Sequence, residues 1–253
     1  QKTKKIMTKG KYIQLILILG SMTALGPFSI DMYLPSFSGI AKDLHTSVTL
    51  VSESLSSYFI GISFGQLLYG PLLDRLKKKK PLFIGLMVYI MASLGCAVVT
   101  DIHVFIGLRF VQAVGSCAAT VAAVAMVRDL FPVKEIPNVL SKLMLVLGLS
   151  PMLAPTIGSY VTTYYGWHPI FYILMFLGTF VLIASQLGLP DSHKPDPNIS
   201  LKPKPIIANF VSIIKVPQFY TYALTGSIAF SGLFTYVAAS PILFMDIFDR
   251  FGW

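Results

Sequence analysis

Long apolar runs broken by short charged turns constrain this chain more than any other feature. They fall at roughly 12–36, 50–73, 81–100, 103–127, 138–163, 169–189 and 219–245. Each holds about 20 residues or more, enough helix to cross about 30 Å of hydrocarbon. Charged residues make up 12% of the chain, against about 25% in soluble domains. The expected fold class is therefore all-α, a polytopic membrane protein built as a helix bundle. Connections between the first six runs are short, so successive helices are expected to be antiparallel.

The densest charge cluster is Gly70-Pro71-Leu72-Leu73-Asp74-Arg75-Leu76-Lys77-Lys78-Lys79-Lys80-Pro81. Four lysines beside an arginine do not lie in hydrocarbon, so this is an aqueous turn between the second and third spans. Lysine and arginine collect on the cytoplasmic side of membrane proteins. With the N-terminus inside, every one of the 20 basic residues except Lys42, Arg109 and Arg250 falls in an inside segment. The expected placement is the bacterial inner membrane, multi-pass, with a cytoplasmic N-terminus. The net charge of +9 would suggest a nucleic-acid partner in a soluble chain. Here the basic residues mark helix ends, so the expected partner is the lipid bilayer and not nucleic acid. The lysine run itself is read as fixing topology and touching anionic lipid.

The basic lead and first apolar run resemble a signal peptide, but the run from Tyr12 to Pro35 is too long for one and lacks a small-x-small cleavage site. It reads as a retained helix. Gln1 is not an initiator, so the expectation is a missing start or a natural start at Met7. Cys96 and Cys117 both lie within apolar runs and read as small packing residues. No metal-ligand spacing and no nucleotide-binding loop occur, so no cofactor, no metal and no catalytic residue is expected.

Six prolines (Pro190, Pro195, Pro197, Pro203, Pro205 and Pro217) punctuate 190–217 and argue against a continuous helix there. The expected organisation is a six-helix N-terminal half over 1–189, a cytoplasmic linker over 190–217, and a seventh helix opening an incomplete second half over 218–253. Small residues four apart mark close helix contacts: Ser57, Gly61 and Gly65 on the second span, Ala154 and Gly158 on the fifth. The Pro71 and Pro155 regions share a short similarity on oppositely directed helices, as a three-plus-three inverted repeat would give.

Two charges are left inside spans. Arg109 lies about two turns into the fourth, where a charge costs roughly 2.5–3.5 kcal/mol on insertion scales, so it is expected to face the interior with a partner. Snorkelling to the outer interface is the bland alternative, disfavoured because Asp101 and His103 already mark that interface. Gln112 lies three residues on, hence on the same helix face. Asp31, between Pro27 and Pro35, is the expected counter-charge. Burial raises a carboxylate's pKa and a neighbouring cation lowers it, a competition suited to proton exchange. Its bland reading is a helix-end carboxylate at the outer interface. Tyr33, Tyr58, Met126 and Met152 are either an adaptable cavity wall or ordinary packing. Arg128, Asp129 and Glu135 read as a solvated cytoplasmic face, and Trp167 with His168 as an interfacial belt.

Four stretches resemble one family. The turn Gly70-Pro-Leu-Leu-Asp74-Arg75-Leu-Lys-Lys-Lys-Lys is similar to the signature between helices 2 and 3 of the major facilitator superfamily. Leu108-Arg109-Phe110-Val111-Gln112-Ala113-Val114-Gly115 resembles the Arg-x-x-Gln-Gly pattern of its proton-coupled members. Ala154-Pro155-Thr156-Ile157-Gly158-Ser159 resembles its Gly-Pro-x-x-Gly-Gly antiporter signature. Ser29-Ile30-Asp31-Met32-Tyr33-Leu34-Pro35 looks like the bicyclomycin and chloramphenicol resistance (Bcr/CflA) branch of drug:proton antiporters. Departures are Lys77 in place of Gly, Val114 ahead of Gly115, and Ala154 and Ser159 in place of glycines.

The resemblance implies a proton-coupled exporter of drugs or other small amphipathic compounds, working by alternating access and not an enzyme. Asp31, Arg109 and Gln112 would couple protons or substrate, with Gly70, Asp74 and Arg75 as a conformational latch. Ala154, Pro155 and Gly158 would carry the antiporter signature. Partners would be a small-molecule substrate, protons and the C-terminal half, since the family has twelve helices and this chain is expected to stop after the seventh. Alternatives are a non-transporting fragment, or a nutrient or metabolite symporter or uniporter of the same fold. A seven-helix retinal protein is disfavoured, because the last span has no lysine for a Schiff base.

Overall fold

A computed structural model describes residues 8–76, 78–190 and 203–242. Lys77, the 191–202 part of the expected linker and the 243–245 end of the expected seventh span lie outside the described residues. The elements are α1 (Lys9–Asp31), a 3-10 turn (Leu34–Ser36), α2 (Phe37–Asp43), α3 (Val48–Arg75) and α4 (Lys79–Val98), then α5 (Ile102–Leu130), α6 (Ile136–Tyr165) and α7 (His168–Gly188). After these come α8 (Pro203–Ile214) and α9 (Pro217–Ile242), and all regular structure among the described residues is helical. The chain divides into two compact units, 1–197 and 198–253.

Local chemistry sets the helix ends. Ser47 caps α3 by accepting from Leu50 N at 3.2 Å. Asp101 caps α5 more fully, its Oδ1 accepting from His103 N at 2.8 Å and Val104 N at 2.9 Å. α6 ends at Gly166, whose φ of +78° lies in the left-handed region that glycine tolerates. Among the described residues, five stretches are both long and apolar enough to cross a membrane: the one spanning α1 and α2, then α4, α5, α6 and α7. α3 matches them in length at 28 residues. Its serines, glycines and Gln66 dilute the hydropathy, and several of them serve packing against α5 instead.

In the first unit α5 is the central helix, with α3 and α4 on it and α1 crossing it; α7 packs on α4 and α1, and α6 on α1. The buried side of α5 is built from Ala113, Gly115, Ala118, Ala119, Ala122 and Ala123. Small residues let backbones approach where lipid gives helices no hydrophobic reason to associate. The ridge expected on the second span faces this surface. Ser57 Oγ donates to Ile106 O at 2.9 Å. A Cβ on Gly61 would fall 2.6 Å from Phe110 O, and one on Gly65 2.8 Å from Cys117 Cβ. On the other side a Cβ on Gly115 would fall 2.5 Å from Tyr89 N and 2.7 Å from Gly85 O. Cys96 and Cys117 are buried free thiols, as expected of packing residues.

The second unit holds a short helix within the proline-rich 190–217 segment. Pro203–Ile214 is a 12-residue helix. Its two prolines, Pro203 and Pro205, both fall in the first turn, where the N–H has no intrahelical acceptor and proline costs nothing. The prolines interrupt the segment without forbidding a helix between them.

Candidate functional site

The site is built at the end of α1 remote from the lysine cluster. Arg109 is completely buried, two turns into α5. Its Nη2 donates to the Ser29 carbonyl at 2.8 Å and its Nη1 to Gln112 Oε1. Ser29 belongs to the last turn of α1, whose carbonyls helix geometry leaves without donors and whose dipole favours a cation. Two aromatic faces carry the rest of the charge. The guanidinium carbon lies 4.1 Å from the Tyr33 ring centroid and 4.3 Å from that of Tyr58, with Phe171 at 5.8 Å. Each desolvated cation–π contact is worth about 2 kcal/mol. Arg109 Nε has no hydrogen-bond partner among the described residues.

A hydrogen-bonded shell holds these groups. Gln112 Nε2 donates to Ser93 Oγ at 2.8 Å, and Ser93 Oγ donates to Tyr89 O at 2.7 Å. The hydroxyls of Ser29 and Tyr89 meet at 2.8 Å, those of Tyr58 and Ser116 at 2.9 Å, and those of Tyr33 and Ser54 at 3.2 Å. Ser29, Gln112 and Ser93 thus join α1, α5 and α4 through one arginine.

Asp31 is buried at 4% exposure, as the final residue of α1. The expected Asp31–Arg109 ion pair is not formed: among the described residues Asp31 makes neither a hydrogen bond nor an ion pair. Two positions from Ser29 is about 200° around a helix, which turns the carboxylate away from the face meeting Arg109. Gly158 of α6 lies beside this point, close enough that a Cβ would collide with the Met32 carbonyl. Ala154, one turn earlier, is fully buried, and Pro155 between them is half-buried. Asp31, Arg109, Gln112 and the α6 pair therefore gather around the C-terminus of α1.

Gly70, Asp74 and Arg75 lie apart, at the other end of α3. Asp74 is exposed, Gly70 and Arg75 are half-buried, and a Cβ on Gly70 would meet nothing within 4 Å. Two of the neighbouring lysines bond to protein, and Asp129 departs from the solvated reading. Lys78 is buried at 6% exposure, pairs with Asp129 Oδ2 at 2.6 Å and donates to Ala125 O at 3.0 Å. Lys79 Nζ donates to Gln186 O at 3.1 Å. Asp129 is thus a structural ion-pair partner at the end of α5.

Trp167 also departs from the belt reading. It is buried, its indole N–H donates to Asp43 Oδ2 at 2.8 Å, and it lies edge-on to Phe105 and Phe171. Tyr33, Tyr58 and Met126 are fully buried, while Met152 is 70% exposed on α6. The cage tyrosines and Ser93 were not singled out as partners of Arg109, because only the fold brings residues so distant in sequence together.

The Major Facilitator Superfamily model matches residues 19–252. A bicyclomycin resistance protein homolog of Haemophilus influenzae is 36% identical over 242 residues, covering 94% of this chain and 61% of that protein. The uncharacterized MFS-type transporter YdgK of Bacillus subtilis is 35% identical, covering 93% of this chain and 59% of its own length. A chloramphenicol resistance protein of Pseudomonas aeruginosa is 30% identical, at 91% and 54%. The chain spans about three-fifths of the length of these relatives. A bacterial homolog of the human lysosomal transporter Spinster, solved inward-facing and unoccupied, superposes with a TM-score of 0.70 at 14% identity, covering 94% of this chain and 56% of that one. That likeness establishes the fold, an all-helical membrane bundle. The chain belongs to the Major Facilitator Superfamily.

Proposed function

We propose that this chain forms the N-terminal half and the opening of the second half of a secondary transporter that exports small amphipathic compounds against proton entry. Alternating access between the halves moves the substrate, and no covalent step is involved. The drug-resistance names of its relatives support this substrate class. The observation that carries the coupling is a fully buried Arg109 held by tyrosine faces and the Ser29 carbonyl, with a buried Asp31, unpaired among the described residues, two positions after Ser29.

Asp31 is the group proposed to carry the exchanged proton. Water or substrate reaching Asp31 would favour release of the proton, and Arg109 biases that exchange. Gln112 holds Arg109 in place from the same helix face. The proposed latch is Gly70, Asp74 and Arg75, working against the other half of the transporter. Ala154, Pro155 and Gly158 keep α6 against the end of α1. The proposed orientation puts the N-terminus and the lysine cluster in the cytoplasm of a bacterial inner membrane.

Export of a dye and of chloramphenicol-like compounds tests the reading, in cells expressing the chain alone and together with the remaining helices of a relative. Asp31→Asn and Arg109→Ala would be compared at matched membrane levels. Proton-driven export lost in both variants supports the coupled pair. Export that survives both removes the site assignment and leaves the fold.

A further inference from the structure

α4 reaches the Arg109 site through two residues one turn apart, Tyr89 and Ser93, both fully buried. Each holds one of the two groups that accept from the guanidinium, and the direction of every bond in the set is fixed. A guanidinium has donors and no acceptor, so Gln112 must turn its amide oxygen to Arg109 Nη1. Its NH2 then faces Ser93 Oγ at 2.8 Å. The one proton of that hydroxyl goes to Tyr89 O at 2.7 Å, so its oxygen is left to accept.

The second strut has the same logic. Arg109 Nη2 donates to Ser29 O, and Ser29 Oγ donates its own proton to Leu25 O at 2.7 Å. In its 2.8 Å contact with Tyr89 the Ser29 hydroxyl oxygen can therefore only accept, and Tyr89 donates. Without the Ser93 hydroxyl the Gln112 amide is free to turn over, which sets an NH2 against a cation. Without the Tyr89 hydroxyl the last turn of α1 loses its tie to α4 beside Arg109.

We propose that Ser93 and Tyr89 are positioning residues that set the orientation of Arg109 through Gln112 and Ser29. Their bearing on transport rests on the proposed coupling role of Arg109.

The guanidinium itself can be observed by nitrogen NMR. The chain has four arginines, Arg75, Arg109, Arg128 and Arg250. Isotope-labelled arginine in the full chain, reconstituted into nanodiscs, therefore gives few signals, and lysine at the other three positions assigns Arg109. Bonds at both ends hold the two Nη groups distinct and slow to exchange. Ser93→Ala and Tyr89→Phe should each speed that exchange about fivefold, the factor for one ordinary hydrogen bond. Tyr89→Phe keeps the ring that packs on Gly178, where a Cβ would fall 2.6 Å from it. Ser93→Thr keeps the hydroxyl and should stay within about twofold of the parent. In a Gln112→Leu background Ser93→Ala should change nothing further, since Ser93 acts through the amide.

An unchanged rate in Ser93→Ala or in Tyr89→Phe would overturn the assignment of that residue. So would equal disturbance in Ser93→Ala and Ser93→Thr, or a further gain on top of Gln112→Leu, either of which makes Ser93 a packing residue of α4. Export in the same variants, run with the remaining helices of a relative, should fall with the faster exchange and recover in Ser93→Thr. Faster exchange with full export upholds the positioning and removes Arg109 from coupling. Lost export with unchanged exchange overturns the positioning and leaves the coupling reading in place.

Discussion

The Arg109 guanidinium carbon lies 4.1 Å from the centre of the Tyr33 ring, and no carboxylate among the described residues takes part. The ring faces, the Ser29 carbonyl and the Gln112 amide together replace an ion pair in a site from which water is excluded. Tyr33→Phe keeps the face and should leave thermal stability within about 1 kcal/mol, since only the 3.2 Å contact to Ser54 is lost. Tyr33→Ala should cost about 3–5 kcal/mol, by removing both the ring volume and the cation's partner. Thermal unfolding in detergent distinguishes the two.

Among the described residues Gln112 is the single side chain bonded both to Arg109 and to Ser93. Gln112→Glu offers Arg109 a permanent carboxylate of nearly the same shape. Unfolding temperature should hold or rise while proton-coupled export falls, because Arg109 no longer responds to Asp31. Gln112→Leu should lower both. Parallel unfolding and efflux measurements on the two variants check the split, and a Gln112→Glu protein with full export would refute it.

Gly115 and Gly70 should respond oppositely to alanine. A methyl on Gly115 meets the backbone of α4 at 2.5 Å, and backbone cannot rotate out of the way. Overpacking of this kind costs about 1–3 kcal/mol or more. Gly70 has open space, so Gly70→Ala should stabilise α3 by about 0.5–1 kcal/mol through helix propensity. Any loss of export in that variant then reports on Gly70 meeting another surface during transport, and not on folding.

Lys78 and Asp129 should be energetically coupled, unlike the other members of the lysine run. A double-mutant cycle of Lys78→Met and Asp129→Asn should give about 1–2 kcal/mol, discounted from a fully buried pair because Asp129 keeps 20% of its surface. Lys80→Ala, on an exposed residue, should leave unfolding unchanged. A zero coupling would return the whole run to the role of a topology signal.

Much of the fold was legible because membrane helices announce themselves. Apolar length gave the long helices. The Gly61 and Gly65 spacing gave the face that meets α5. Arg109 and Gln112 stood out because charge in an apolar run is costly, and three residues apart share a face. Other features were invisible for stated physical reasons. Ser29 offers its backbone carbonyl, which has no residue-type signature. Tyr33 and Tyr58 look like any core aromatic until the crossing of α1, α3 and α5 brings their faces together. Lys78 reads as one of four equal lysines, and only the register of α4 against α5 sets it against Asp129. The short helix at Pro203–Ile214 was hidden because proline reads as a breaker until its place in a first helical turn is known.

The arginine cage also has an order in time. Ser29, Tyr33, Tyr58 and Ser93 all precede Arg109 in the chain, Gln112 follows it by three residues on the same helix, and of the three ring faces Phe171, the most distant, is made later. During vectorial synthesis α1, α3 and α4 emerge before the costly charge does, so nearly everything that shelters it has already been made when α5 enters the bilayer. A circular rearrangement placing α5 ahead of α1 would present the translocon with an unsheltered guanidinium. Such a chain should be lost at insertion, although its finished structure would contain every contact described above.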